Sequence, residues 1–267
     1  MQPESIPEKP LAEGRTAEVF VWDDNTILKL YHEWCPADWI EREFQVVQAL
    51  TTAGIPTPAA TGTIKIKGRR GILFEKIQGM SMLADLRAHP LLVFRHAVSL
   101  AELQSQFHQL TIPGLNQYHD SLEFIIKRTS GIAGPLREKA LSQLRSLPRK
   151  DCLCHGDFHP GNVMMSARGP VIIDWMTACS GNPLADVTRT SMILSIGIKG
   201  AGKQISPLLR LFSSLFHQVY LDRYFKLTSG KKAEMDLWMP VICAARLDEK
   251  IPSEQEALLQ IISRQLS

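Results

Sequence analysis

The sequence from Cys154 to Asn162 reads Cys-His-Gly-Asp-Phe-His-Pro-Gly-Asn, and the sequence from Val171 to Trp175 reads Val-Ile-Ile-Asp-Trp. The first stretch places Asp157 in a segment rich in turn residues, with the side-chain amide of Asn162 five positions later. The second is a run of apolar, mostly β-branched residues that delivers Asp174 at its end, which is typical of a short strand. A loop between two short strands can bring Asp157, Asn162 and Asp174 to one point.

The chemistry of these three side chains suits phosphoryl transfer. Two carboxylates and an amide oxygen are hard ligands of the kind that hold Mg²⁺ together with substrate phosphates. One carboxylate can instead accept the proton of an attacking hydroxyl. The spacing Asp-x-x-x-x-Asn, followed by an acid at the end of a later strand, is also that of the protein-kinase catalytic loop and its metal-binding Asp.

His155-Gly156-Asp157, Asn162 and Ile173-Asp174-Trp175 resemble the signature of the aminoglycoside phosphotransferase and choline kinase group. The resemblance implies a kinase-like fold and the phosphorylation of small molecules. That group reads His-Gly-Asp where protein kinases read His-Arg-Asp. Because Gly156 replaces the arginine that would bind a phosphorylated activation loop, we do not expect a protein kinase gated by phosphorylation.

The resemblance also implies a role for each polar residue. Asp157 would be catalytic, orienting the acceptor hydroxyl and taking its proton, and Asn162 and Asp174 would hold Mg²⁺ between the β- and γ-phosphates. Each of Asp157 and Asn162 alone would equally suit a turn. An acid that ends an apolar strand, as Asp174 does, is costly to bury unless it is paired or bound to metal. We expect His155 to hold the loop by hydrogen bonding.

Lys29 is the candidate phosphate-binding lysine. It lies between Leu28 and Leu30 in an expected strand over residues 26–31, so its side chain faces away from theirs. Glu43 follows fourteen residues later on an expected helix, and an ion pair with it would direct the ammonium toward the α- and β-phosphates. The resemblance favours Glu43 over Glu41. A solvated lysine and a solvated glutamate are the structural alternative.

The expected phosphate-covering loop contains Gly14, Arg15 and Thr16. It has one glycine rather than the full Gly-x-Gly-x-x-Gly pattern, but its backbone N–H groups can still contact phosphate. The chain has no Walker A sequence, which excludes the P-loop class.

The segment that contains Glu75 and Ile77 is expected to link two lobes and to bind the base of the nucleotide. In kinase-like folds the adenine ring bonds to the backbone here, so the side chains do not distinguish ATP from GTP as the phosphoryl donor. We therefore expect Mg²⁺ as the cofactor and ATP, with GTP as the alternative donor.

A β-rich first third followed mostly by helices predicts an α+β fold, and it matches the two-lobed layout, like that of protein kinases, that the resemblance implies. We expect a small antiparallel-sheet lobe over residues 1–77 for the nucleotide and a helical lobe over residues 78–267 for the catalytic loop and the acceptor. The expected strands are 19–22, 26–31, 61–66 and 71–75, and the expected helices are 36–50, 91–110, 121–129, 135–147, 183–197, 206–227, 235–247 and 253–265.

Composition excludes several classes of protein. The 267 residues are 45% hydrophobic and 21% charged with a net charge of +3, so we expect no nucleic-acid partner and no membrane span. Five cysteines without framework spacing indicate reduced thiols in a cytoplasmic protein. The expected partners are a nucleotide and a small-molecule acceptor, and nothing in the sequence indicates an oligomeric state.

The sequence says less about the acceptor than about the phosphoryl donor. From Met176 onward eleven Lys and Arg outnumber eight Asp and Glu, a difference of +3, whereas a polycationic aminoglycoside would suit an acidic lobe. The side chains that might reach the acceptor are Trp238, Arg246, Asp248 and Glu249.

Two other functions stay open at this point. One is a metal-dependent hydrolase that binds zinc through His155, Asp157 and His159, although such enzymes use further histidines. The other is a nucleotide-binding module without catalytic activity.

Overall fold

The computed structural model of the chain describes residues 9–200 and 206–266, without the side chains of residues 197–200. Contacts between residues divide it into two compact units. The first unit holds the described residues up to Ala84 together with Gly161–Ala178. The second holds Asp85–Pro160 together with the described residues from Cys179 onward.

The first unit contains a five-stranded antiparallel sheet. Its strands are β1 (Ala12–Glu13), β2 (Ala17–Val21), β3 (Thr26–Tyr31), β4 (Ala60–Ile66) and β5 (Arg69–Glu75). Their order across the sheet is β1-β2-β3-β5-β4, so β3 is the central strand. The expected strand 26–31 has the observed bounds, and the other three expected strands differ by one or two residues at their ends.

Alternation along β3 separates an apolar face from a polar one. Leu28 and Leu30 are fully buried and pack with Phe20, Ile64 and Ile66 on one side of the sheet. Lys29 and Tyr31 point to the other side, because successive side chains of a strand face opposite ways. A single lysine inside an apolar strand is thereby aimed away from the hydrophobic cluster.

Helix α1 (Ala37–Thr52) follows β3 and packs in the same unit. Its buried residues are Ile40, Glu43, Val46, Val47 and Leu50. Trp39 of the same helix is 42% exposed, while Glu43 is buried. Glu43 is buried with polar partners in the first unit, described below.

The segment Gly161–Ala178 returns to the first unit through a hairpin. Strands β6 (Met80–Ser81), β8 (Val163–Ser166) and β9 (Gly169–Ile172) form a three-stranded sheet in the order β6-β8-β9. Gly79 has a positive φ of 146°, and an added Cβ would lie 1.9 Å from the carbonyl oxygen of Met165. This close approach requires glycine. A single boundary after residue 77 does not describe this division of the chain, because pairing with β6 joins the later hairpin to the earlier strands.

The second unit is mostly helical. A two-stranded antiparallel sheet pairs β7 (Cys152–Cys154) with β10 (Cys179–Gly181). The helices from the point where the chain leaves the first unit are α2 (Met82–Ala88), α3 (Val93–Phe107), α4 (Tyr118–Arg128), α5 (Gly134–Ser146), α6 (Pro183–Gly200), α7 (Pro207–Leu227), α8 (Met235–Arg246) and α9 (Pro252–Leu266). The seven helices expected in this region are all present as α3 to α9, and α2 was not expected.

The architecture is therefore α+β, with an antiparallel sheet in one unit and helices in the other. All five cysteines are unpaired, as expected. Among the described helices none combines the length and the apolarity that a membrane crossing requires.

Candidate active site

Lys29 lies between two carboxylates in the first unit. Its Nζ is 2.7 Å from Glu43 Oε1 and 2.7 Å from Asp174 Oδ1. Burial alone would lower the pKa of Lys29, but the charges of Glu43 and Asp174 outweigh it and hold that pKa above its ordinary value. The ammonium is therefore charged and fixed. The expected Lys29–Glu43 ion pair is confirmed, and the contact with Asp174 joins the candidate phosphate lysine to a candidate metal ligand.

Tyr31 provides a second donor to the same glutamate. Its hydroxyl donates to Glu43 Oε2 at 2.6 Å, and Lys29 Nζ lies 5.4 Å from the centre of its ring. Both oxygens of Glu43 thus accept a hydrogen bond from β3, so the buried carboxylate is satisfied. Sequence reasoning missed Tyr31. The available signal was its position two residues after Lys29, which places both side chains on one face of the strand.

Asp174 and Asn162 are joined through the backbone. The N–H of Ile173 donates to the carbonyl of Asn162 at 2.9 Å, so the residue before Asp174 contacts Asn162 directly. Asp174 has left-handed backbone angles, φ 63° and ψ 63°, where an aspartate is tolerated better than most residues. Its side chain is 47% exposed. A carboxylate and an amide on adjacent segments are oxygen ligands that fit a divalent cation such as Mg²⁺.

Glu75 is held by an arginine. Arg168 makes a two-pronged ion pair with it, Nη1 to Oε1 at 2.7 Å and Nη2 to Oε2 at 2.8 Å. The backbone N–H of Glu75 donates to the carbonyl of Ala59, at the end of the sheet. The N–H of Glu75 is therefore used within the sheet, and Ile77 follows in a half-buried segment without regular structure. Arg168 was not anticipated.

Gly14, Arg15 and Thr16 form the short connection between β1 and β2. The N–H of Gly14 donates to the carbonyl of Ala17 at 2.9 Å, and the carbonyl of Thr16 accepts from the N–H of His32. The first contact closes the connection into a tight turn. Its part in binding phosphate stays a prediction.

Asp186 anchors the loop that follows β7 in the second unit. Its carboxylate is fully buried and accepts from the backbone N–H groups of Gly156, at 2.8 Å, and His155, at 3.2 Å. His108 Nε2 lies 3.0 Å away, and Gln104 donates to the same oxygen. Burial opposes ionisation, but the hydrogen bond and charge of His108 outweigh it and lower the pKa of Asp186.

The loop residues after β7 are packed as well as bonded. His155 is buried, and its Nδ1 accepts from the N–H of Asp157 at 3.3 Å. Phe158 is buried against Phe107, with 5.2 Å between the ring centres. The expected loop-holding role of His155 agrees with this contact. The hydrogen bonds to Asp186 and the packing of Phe158 therefore both fix the backbone that carries Asp157.

The Asp157 side chain is partly exposed and lies beside Arg189. Arg189 Nη2 is 3.0 Å from Asp157 Oδ1, and His159 Nε2 is 3.7 Å from Asp157 Oδ2. Burial would raise the pKa of Asp157, but the hydrogen bond from His159 and the charge of Arg189 reverse this and lower it. The carboxylate is thus ionised at neutral pH and can accept a hydrogen bond from a hydroxyl.

Arg189 belongs to a chain of alternating charges that sequence reasoning missed. The same Nη2 is 2.8 Å from Glu249 Oε1, and Glu249 Oε2 is 2.7 Å from Arg246 Nη1. Arg246 also binds both oxygens of Glu254. The signal was an arginine within the mostly apolar helix α6, since arginine is seldom buried unless it is paired.

The other residues considered for the acceptor have structural partners. Trp238 is buried and packs edge-on against His119, with 5.2 Å between ring centres, so it belongs to the core. Asp248 pairs with Arg128. Glu249 and Arg246 remain near Asp157 through Arg189.

The zinc set expected for a hydrolase does not form. In the part of the chain that the structure describes, the one group of three close metal-ligating atoms is His108, Cys154 and Asp186. His155, Asp157 and His159 are not such a group. Asp186 is already occupied by four hydrogen-bond donors, and burial raises the pKa of the Cys154 thiol, which disfavours the thiolate that zinc needs.

A family model described as "Phosphotransferase enzyme family" matches residues 8–217. Solved structures share the fold at low identity. An aminoglycoside-3'-phosphotransferase of type VIII aligns with a TM-score of 0.60 and 18% identity over 92% of each chain. The amicoumacin kinase hAmiN aligns with a TM-score of 0.67 and 13% identity, covering 97% of this chain and 87% of that one.

Two further comparisons give one more solved structure and one protein with a similar sequence. A choline/ethanolamine kinase family protein from Mesorhizobium loti aligns with a TM-score of 0.58 and 15% identity, over 98% of this chain and 87% of that one. Acyl-CoA dehydrogenase family member 11 of Rattus norvegicus is 28% identical over 178 residues, which are 57% of this chain. The match spans 23% of that relative's length.

Proposed function

Because the chain belongs to the phosphotransferase enzyme family, we propose that it transfers the γ-phosphoryl group of ATP to a hydroxyl of a small molecule in a Mg²⁺-dependent reaction. One observation carries this proposal: Lys29 Nζ lies 2.7 Å from both Glu43 and Asp174. A fixed ammonium beside an exposed carboxylate is the arrangement that receives a polyphosphate and its cation.

The first unit would bind the nucleotide. Lys29, oriented by Glu43, would contact the α- and β-phosphates, and Asn162 and Asp174 would hold Mg²⁺, which when bound neutralises charge on the β- and γ-phosphates. The turn of Gly14, Arg15 and Thr16 would cover the phosphates through its backbone.

The base would bind beside Glu75 and Ile77. Since the N–H groups of Glu75 and Lys76 donate to Ala59 and Asn25, a backbone N–H for the base would come from Ile77 or the residues after it. GTP is the alternative donor, because backbone contacts do not select adenine.

Asp157 of the second unit would act on the acceptor. Its ionised carboxylate would accept a hydrogen bond from the acceptor hydroxyl and take the proton as the oxygen attacks the γ-phosphorus. The bond from that phosphorus to the β–γ bridging oxygen breaks, which leaves ADP.

The cellular setting is part of the proposal. Five unpaired cysteines suit a reducing compartment, so we place the enzyme in the cytoplasm. Its partners are the nucleotide and the acceptor.

The test is transfer of γ-labelled phosphate from ATP and from GTP to a library of small hydroxyl compounds. Asp157→Asn keeps the shape of the side chain and an oxygen acceptor. We expect it to lower kcat by about 100- to 10,000-fold while nucleotide affinity stays within about threefold. Unchanged turnover in this variant would contradict the role of Asp157. Nucleotide binding without transfer to any compound would favour the module without catalytic activity.

A further inference from the structure

The cluster of alternating charges around Asp157, which we call the Arg189 cluster, consists of Asp157, Arg189, Glu249, Arg246 and Glu254. Arg189 contacts both Asp157 and Glu249 through one nitrogen, at 3.0 and 2.8 Å. Its side chain is only 13% exposed. A guanidinium stays protonated at every pH at which the protein is folded, so a permanent positive charge lies beside the candidate catalytic carboxylate.

Each acid of this cluster is bonded to an arginine, although three acids share two arginines and the five side chains sum to a charge of −1. Glu249 has Arg189 on one oxygen and Arg246 on the other. Glu254 receives Nε and Nη2 of Arg246 at 2.8 and 3.1 Å. An ammonium group that approached Asp157 would meet a carboxylate whose charge is already offset by Arg189 at 3.0 Å. It would have to share Asp157 with that guanidinium.

We infer that the acceptor has no positive charge next to its reacting hydroxyl, and that Arg189 is the residue that selects against such a charge. The inference rests on the proposed function, because it assumes that the hydroxyl is bound by Asp157. It assigns the acceptor to uncharged or anionic hydroxyl compounds. Amino alcohols and quaternary ammonium alcohols, which include choline and the aminoglycosides, are disfavoured.

The size of the effect follows from the distances. Arg189 lies 3.0 Å from Asp157, so an ammonium two carbons away from a hydroxyl bonded to Asp157 would lie on the order of 6 Å from the guanidinium. At that separation and at the effective dielectric of a partly buried site, repulsion weakens binding by up to about 100-fold. This cancels the attraction that Asp157 alone would exert.

Two alcohols of equal size and shape, of which only one is charged, test the effect of charge alone. Choline and 3,3-dimethyl-1-butanol differ in the exchange of a quaternary nitrogen for a carbon. We would measure kcat/KM for both with Mg²⁺ and ATP in the full-length enzyme. Because the attraction of Asp157 is cancelled, nothing offsets the hydration that the ammonium of choline loses on binding, and the wild type is expected to prefer the uncharged alcohol by about tenfold. A preference for choline would overturn the inference.

Substitutions should move this preference in opposite directions. Arg189→Gln exposes two carboxylates, so the ratio of kcat/KM should shift toward choline by about 10- to 100-fold. Glu249→Gln removes a compensating acid and should shift it toward the uncharged alcohol. Arg189→Lys keeps the charge and should keep the ratio. A merely structural arginine would lower both values together and leave the ratio unchanged, which would also overturn the inference.

Two controls separate this inference from the proposed function. Arg128→Gln removes another arginine paired with an acid, outside the cluster and half exposed, and should not alter the ratio. A titration with Mg²⁺ and ATP tests the donor site directly. If the wild type does not bind ATP in the presence of Mg²⁺, the proposed function is refuted. If it binds ATP and transfers phosphate preferentially to choline, only the assignment of the acceptor is refuted.

Discussion

Lys29 in the first unit and Arg189 in the second each lie between two carboxylates, but the two cations differ in how firmly their partners hold them. Lys29 presents one nitrogen at 2.7 Å from each acid, and one of those acids, Asp174, is 47% exposed. The acids of Arg189 are 32% and 24% exposed, and one of them is also bound by Arg246.

The difference indicates two uses of the same charge pattern. An ammonium is a compact point charge that can exchange partners, so Lys29 can move from Asp174 to a phosphate while Glu43 keeps it in place. A guanidinium is planar and makes directed contacts, which suits a fixed charge that shapes a site. Under the proposed function, Lys29 would bind an incoming anion, and the Arg189 cluster would hold the carboxylate of Asp157 in one orientation.

The largest effect should follow from removing the mobile cation. Lys29→Met is expected to lower kcat/KM for ATP by about 100- to 1000-fold, because the phosphates lose a preorganised positive charge. Steady-state kinetics with varied ATP would measure it. Lys65→Met replaces an exposed lysine on strand β4 of the same sheet, and it should change kcat/KM for ATP by less than about twofold. Equal losses in the two variants would refute a specific role for Lys29.

Stability should respond most to Asp186, which fixes the loop that carries Asp157. Asp186→Asn places an N–H₂ group among four hydrogen-bond donors and removes the charge facing His108. We expect a loss of about 3 kcal/mol in the free energy of unfolding, measured by urea denaturation. Asp222→Asn alters an exposed acid of the second unit and should cost less than about 0.5 kcal/mol.

The same variant predicts a pH dependence. The pKa of folded Asp186 is lowered, so its contribution to stability is fully present above the unfolded value, about 3.9. It is lost as pH falls through the lower folded pKa. The stability difference between wild type and Asp186→Asn should therefore be constant from about pH 5 to 7 and shrink below about pH 4. A difference that grew on acidification would contradict the sign of the shift.

A smaller effect is expected at Tyr31. Tyr31→Phe keeps the ring beside Lys29 but leaves one oxygen of buried Glu43 without its donor, at a cost of about 1.5 kcal/mol in stability. Because Glu43 orients Lys29, KM for ATP should rise about three- to tenfold. Tyr220→Phe removes a buried hydroxyl that donates to Gln104 in the second unit. It should cost similar stability without changing the affinity for ATP.

Elements with strong alternation or helical periodicity could be predicted from the sequence. Strand β3 has the expected bounds because leucines flank Lys29 in strict alternation. The buried face of α1 could not be predicted in this way, since hydrophobicity alone would bury Trp39 and could not show that a tertiary ion pair buries Glu43. The return of Gly161–Ala178 to the first unit depends on a pairing of only two residues, Met80 and Ser81.

The residues of the candidate site also differ in how far the sequence could predict them. Lys29 and Glu43 lie on consecutive elements, fourteen residues apart, and it was the resemblance that favoured Glu43 over Glu41 as the partner. Arg189 lies 32 residues from Asp157 and 60 from Glu249, so its partners are defined only by the packing of helices. Tyr31 looked like a core residue, and its ring is one, but its hydroxyl takes part in the site.

The central claim is that Lys29, Asn162 and Asp174 receive a nucleotide together with Mg²⁺. The most direct measurement is a calorimetric titration of ATP into the wild type and into Asp174→Asn, each with Mg²⁺ and with the metal removed by EDTA. We predict that the wild type binds ATP at least tenfold more tightly with Mg²⁺, and that Asp174→Asn loses this dependence because one of two protein ligands is gone. Equal affinity of the wild type with and without Mg²⁺ would contradict the account.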